Sequence, residues 1–125
     1  MNDDTLLLRQ VHPCFVQEGR VSSQVFRPTP KDAQRLSVYD GDRINAQSAY
    51  QHYTTTLCFQ SVGVLGVTVV ECNLLQLPVS PDPEEFPEHM VIDFSAFNKS
   101  TTEKKAKHLR AKAEARDWLY RGLPA

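Results

Sequence analysis

The chain lacks an even set of cysteines. Cys14, Cys58 and Cys72 are three and widely spaced, so they cannot form a complete disulfide framework, and no CxxC or CxxH spacing offers a zinc site. Buried free thiols are therefore expected. A long apolar run is also missing. The longest, residues 62–70, contains two glycines and a threonine and falls far short of the ~20 residues a spanning helix needs. The first five residues are acidic and lack the basic start of a secretory leader. A cytoplasmic protein with no membrane partner follows as the expectation. No sign of charge dominates either: 14 basic against 15 acidic residues give −1, which argues against a general coat for nucleic acid or anionic membrane.

Other absences remove whole chemistries. Gly63 and Gly66 sit among apolar residues without a P-loop lysine, so no phosphate-cradling loop is present. His12, His52, His89 and His108 show neither i,i+4 nor HxH spacing, and the expected metal content is none. No cysteine lies in a recognisable nucleophile context.

What is present reads as one α+β domain over residues 1–125: a small mixed sheet, a short central helix, and a long basic C-terminal helix packed on the sheet. Residues 6–12 read as a strand stopped at Pro13. Residues 22–26 alternate polar and apolar, and read as a second strand before Pro28 and Pro30. Residues 36–39 are a third, closed by Asp40-Gly41. Asn45 offers a cap for a helix over 46–53. Residues 62–70 read as a buried central strand passing into a helical turn over 71–77, with Leu74 and Leu77 on one face. An acidic, proline-rich connection then leads to a last strand over 90–94.

The strongest local signal is Ser100-Thr101-Thr102-Glu103, a capping-box pattern that predicts a helix over about 101–119. Ala106, Leu109 and Ala113 form its inner face, and Gly122 and Pro124 end it. Residues 99–121 carry eight basic and three acidic side chains, leaving six basic against twelve acidic elsewhere. Lys105, Lys112 and Arg116 are expected on the outer face, where they offer a surface to nucleic acid, to an acidic protein partner or to the acidic connection of a second copy.

The densest polar cluster lies in the first third: Arg9, His12, Arg20, Ser22, Ser23 and Tyr39. These are the candidate ligand-binding residues. Strand alternation places Arg9 and His12 on opposite faces, which weakens a dyad. Arg9 inside an apolar run is either paired structurally or aimed into a cleft, where its planar fork suits phosphate or carboxylate.

In order of parts, Arg9 in the first strand, Gly19-Arg20 with Ser22-Ser23, and residues 36–39 before a short helix resemble RES-domain and related ADP-ribosyltransferase-like toxins. That resemblance implies an NAD- or nucleotide-using enzyme, with Arg9 on the phosphates, Ser22 or Ser23 on the small-hydroxyl strand and Tyr39 near the nicotinamide. The family's downstream Glu has no counterpart in the 46–53 helix, which offers Gln47, Gln51 and His52 instead. The chain also resembles small bacterial proteins with an Arg, His-Pro opening, a Ser-Ser-x-x-Phe segment, a Ser-Val strand and a late Pro-x-His, here Pro87-Glu88-His89. The expectation is a bacterial accessory or interaction domain of a conflict, toxin–antitoxin, defence or mobile-element system. It binds an acidic or nucleotide-like partner and needs no cofactor; NAD is the cofactor under the enzymatic alternative.

Overall fold

The computed structural model describes residues 2–28 and 34–122. Pro30 and Pro124, read above as breakers, lie outside that range. Eight strands and three α-helices follow in order: β1 (Leu6–Gln10), β2 (Val16–Gln17), β3 (Arg20–Val21), β4 (Arg35–Asp40), α1 (Ala46–Gln51), β5 (Gly63–Thr68), α2 (Val69–Leu74), β6 (Val79–Pro81), β7 (His89–Asp93), α3 (Lys99–Arg116) and β8 (Tyr120–Arg121). Six strands make one sheet in the order β6-β7-β4-β1-β5-β8, and each of its ladders is antiparallel. The architecture is α+β, as the sequence predicts. β2 and β3 form a small separate hairpin, turned by Glu18 and Gly19, both at positive φ.

Alternation along each strand divides the core in two. Leu7, Leu36, Val38, Leu65, Val67, Met90 and Ile92 point to one face, where they meet Ala106, Leu109 and Ala113 of α3. All three α3 residues are fully buried, as their spacing predicts. Leu8, Tyr39 and Val64 point to the other face and pack with Ala49 of α1.

Several local readings change. Residues 23–26 are a 3-10 helix rather than a strand: Ser22 Oγ accepts the Gln24 N–H at 3.2 Å, and Val25 and Phe26 plug the α3 side of the core. Period-two alternation over five residues fits both forms, and the serine cap selects the turn. α3 starts two residues early, because Asn98 Oδ1 accepts the Thr101 N–H at 2.8 Å and takes the capping role assigned to Ser100. It stops at Arg116, where Asp117 adopts φ 72° and turns the chain back into β8. A capping box does occur, at Thr68 and Glu71 of α2. Leu77 is fully buried whereas Leu74 is 78% exposed, so these two leucines do not share a buried face.

The C-terminal return lies on the glycine surface of β5. A Cβ at Gly63 would stand 2.6 Å from the Tyr120 carbonyl oxygen and 2.8 Å from the Trp118 ring, so side-chain absence there is what admits β8.

Candidate functional site

β1 and β4 are neighbours in the sheet, yet they are in register only at Leu7↔Asp40 and Leu8↔Tyr39. The Gly41 N–H adds a bond to the Leu6 carbonyl at 2.8 Å. Beyond Leu8 the strands diverge, while β1 stays paired to β5 through Gln10 and β4 stays paired to β7 through Arg35. A cleft of about 320 Å³ opens at this split.

Leu8, Gln10, Ser37 and Tyr39 contribute to the strand side of the cleft, and Tyr53, Leu57 and Phe59 form one wall. That wall follows α1 through a π-helical turn, His52–Thr56, a helix form concentrated at functional positions. Glu85, Phe86 and His89, from the connection into β7, form the opposite wall. The interior is aromatic: Tyr39 stacks on Phe86 at 4.9 Å and 30°, and Phe86 lies 4.8 Å from the His52 ring and 5.0 Å from the His89 ring. Tyr53 and Phe59 tilt together at 5.2 Å.

Polar groups within this aromatic shell are held by specific bonds. Tyr39 Oη lies 2.8 Å from His52 Nδ1. Burial, with smaller contributions from Tyr53 and Glu88, pushes the Tyr39 phenol well above its ordinary range, so it stays protonated. Tyr53 is shifted the same way by burial, with Arg9 opposing. Arg9 Nε donates to the Val25 carbonyl at 2.8 Å and its NH1 donates to the Ser37 carbonyl at 2.9 Å. The guanidinium thereby ties β1 to β4 where their ladder has parted.

Four buried polar atoms have no partner among the described residues: Thr102 Oγ1 and Arg110 Nε on α3, and Gln10 Nε2 and His89 Nε2 on residues that line the cleft. Gln10 is 5% exposed, and His89 3%. The Gln10 carboxamide meets Ser61 Oγ at 2.8 Å through its other atom, so turning it over leaves one polar atom unmatched in either orientation. His89 Nδ1 lies 2.8 Å from the Asp82 carbonyl oxygen. Buried polar groups are nearly always matched, so these two atoms mark a place where the packing beside the cleft is not complete.

Of the sequence-predicted ligand residues, Arg9 and Tyr39 line the cleft and the others do not. His12 caps the 3-10 turn Pro13–Phe15, its Nδ1 accepting the Cys14 N–H at 3.0 Å. Arg20 is exposed and pairs with Glu114 at 3.3 Å. Ser22 is a helix cap, and Ser23 opens the short helix against α3. On the basic helix, Lys112 is exposed, but Lys105 and Arg116 are not free cations. Lys105 Nζ donates to the Leu75 carbonyl and lies 4.2 Å from the Phe97 ring centre. Arg116 donates to the Gly66 carbonyl at 2.8 Å and to Glu71 Oε2 at 3.0 Å. The exposed cations of α3 are instead Lys99, Lys104, Lys107 and Lys112. Cys72 is buried as expected, whereas Cys14 and Cys58 are exposed.

Gln10 carries no site signal in the sequence, and His89 appears there only among the four histidines and in the late Pro-x-His. Their chemistry emerges only from the strand register, which sets His89 beside Tyr39 and Tyr39 beside Leu8. A larger cavity, about 610 Å³, lies between the 3-10 helix and the start of α3. Of its charged lining residues Arg27 and Glu103 pair at 3.0 Å, which leaves Lys99, and its lining lacks the aromatic cluster of the smaller cleft. The smaller cleft therefore holds the stronger chemical signal. No group of three or more His, Cys, Asp or Glu side chains gathers as a metal site among the described residues. Nor is any described helix long and apolar enough to cross a membrane. No protein-family model, curated protein or solved structure matches the chain.

Proposed function

We propose that this domain is a bacterial accessory or interaction module that binds a small, flat, nucleotide-like ligand in the β1–β4 cleft. The observation that carries this reading is the aromatic cleft itself, where the Tyr39 and Phe86 rings stack and Arg9, Gln10 and Glu85 bring polar side chains to the lining. Its volume is at the lower end of ligand pockets, which suits one nucleoside-sized ring system better than a dinucleotide. Stacked Tyr39 and Phe86 supply a flat apolar wall. Titration with nucleosides and mononucleotides should raise the melting temperature, since a ligand selective for the folded state adds about 2.7 kcal/mol at a hundred times its Kd. Gln10→Leu and His89→Asn should reduce that shift. A flat response across the panel at millimolar ligand sinks the proposal.

The enzymatic alternative, an NAD- or nucleotide-using transferase, gains support from one further residue. A carboxylate does line the cleft: Glu85, supplied by the connection into β7 rather than by α1. It shares that cleft with Arg9 and Tyr39, two of the positions that the ADP-ribosyltransferase resemblance singles out. NAD consumption that is lost in Glu85→Gln would favour this reading, and NAD left intact by the unaltered protein would remove it.

A protein or nucleic-acid partner fits the outer face of α3, recentred on Lys104, Lys107 and Lys112. A cytoplasmic setting accords with the exposed free thiols of Cys14 and Cys58.

A further inference from the structure

We infer that the outer face of α3 docks on the acidic tip of the β6–β7 hairpin of a second copy, joining molecules head to tail. This rests on that face being a partner surface and not on the cleft. Lys104, Lys107 and Lys112 lie on the side of the helix opposite the buried Ala106, Leu109 and Ala113, and span ~12 Å of its axis. All three are exposed, as are His108 and Ala111 among them. The acids of α3 are already engaged: Glu103 pairs with Arg27, and Glu114 with Arg20 and Arg110. The three lysines enter no ion pair among the described residues, so this face carries uncompensated positive charge.

The complementary surface is on the same chain. Residues 83–88 close the hairpin: the Asp82 N–H donates to the His89 carbonyl at 2.9 Å, and the Asp40 N–H donates to the Glu88 carbonyl at 2.8 Å. Pro83 and Pro87 restrict the loop backbone, and Phe86 anchors it by stacking on Tyr39. The tip is therefore held ready, and docking need not order it. It presents Glu84 and Glu85 exposed and Glu88 half-buried, none of them in an ion pair among the described residues. A second copy fits the helix better than nucleic acid does. Arg110 and Arg116, whose planar forks suit phosphate, turn back to Glu114 and Glu71 and leave only lysines outward. The two surfaces belong to opposite faces of the sheet, α3 packing on one and Phe86 on the other. They cannot meet within one molecule or close a two-fold pair, so the contact is heterologous.

Sedimentation of the full chain tests this. At ~20 mM salt the average mass should rise above the monomer's as protein concentration increases, and at ~1 M salt, where charges are screened within about 3 Å, it should return to it. Two variants remove one half each: Lys104→Gln with Lys107→Gln and Lys112→Gln, and Glu84→Gln with Glu85→Gln. Each alone should associate about tenfold more weakly, with little change in melting temperature because the side chains are exposed. Mixed in equal amounts they should form a dimer and stop there, since the first keeps the acidic tip and the second keeps the basic helix. The inference is overturned by an unaltered protein that stays monomeric at ~20 mM salt and millimolar concentration, by association that survives ~1 M salt, or by a mixture that forms no dimer. A single-stranded DNA of about 20 bases then separates the two readings. If it binds a monomeric protein and the lysine variant loses it, α3 remains a partner surface whose partner is not a second copy. If it does not bind either, the partner reading of α3 falls as well.

Discussion

The two faces of the sheet differ in what covers them. Under α3 the core is apolar and closed: Ala106, Leu109 and Ala113 meet Leu7, Val38, Leu65 and Ile92 with no exposure worth the name. On the opposite face the cover is partial and aromatic, and polar groups interrupt it; unmatched buried atoms occur on both sides, Gln10 Nε2 and His89 Nε2 here and Thr102 Oγ1 and Arg110 Nε on α3. A small domain has little stability to spare. Concentrating close packing on one face leaves the other able to retain polar groups among its aromatic rings.

The largest way to break this contrast is to put a charge into the closed face. Leu109→Asp buries an unpaired carboxylate between α3 and the sheet and should cost several kcal/mol, enough to abolish the cooperative melt. Gly63→Val comes next. Its side chain would collide with the Tyr120 carbonyl and the Trp118 ring, detaching β8 and lowering the denaturant midpoint.

A third change targets the pair that fastens the end of α3 to the start of α2. Burial disfavours the charged Glu71, but the Arg116 and Thr68 hydrogen bonds outweigh it and hold its pKa below the ordinary carboxylate value. A folded-state pKa below the unfolded one means the stabilisation is complete above about pH 5 and fades as the pH drops through the folded value. Arg116→Gln should therefore cost about 1–3 kcal/mol at pH 7 and flatten the acid limb of a stability–pH curve. An unchanged acid limb would deny Glu71 that role. Of Lys105, Lys112 and Arg116, all expected on the outer face, only Lys112 is exposed, so only its neutralisation should leave stability unchanged.

Small effects sharpen the contrast from the other side. Gln10→Met removes an unmatched buried amide at similar volume, so the melting temperature should hold or rise while ligand binding weakens. Lys112→Gln should shift stability by no more than about 0.5 kcal/mol, because the side chain is exposed. If it also leaves polyanion affinity and its salt dependence unchanged, the outer face of α3 is not a partner surface.

Most of the scaffold could be read along the chain, because β1, β4, β5, β7 and the buried face of α3 are set by local alternation and by Ala106, Leu109 and Ala113 spacing. Caps were less legible: Asn98 and Ser100 both satisfy the chemical pattern, and only the docking of α3 chooses between them. Thr68-x-x-Glu71 carried the same pattern but was obscured by the β-branched strand running into it. In the cleft, Arg9 and Tyr39 stood out as polar groups in apolar runs. Gln10 and His89 did not, since their meaning depends on where two strands part and on a register between residues fifty positions distant.

The parting itself has a mechanical consequence. With so short a ladder between β1 and β4, the six-stranded sheet consists of two three-stranded leaves, β6-β7-β4 and β1-β5-β8, joined by a spine at residues 6–8 and 39–41 and strutted by Arg9. Each leaf has its own ladders, so bending at the spine would break few hydrogen bonds and would be opposed mainly by Arg9 and by the side-chain packing under α3. A ring seated between the leaves, as proposed, would stiffen that angle. Slower amide exchange along both leaves on ligand addition, including at β5 and β7, would be the mark of such bracing.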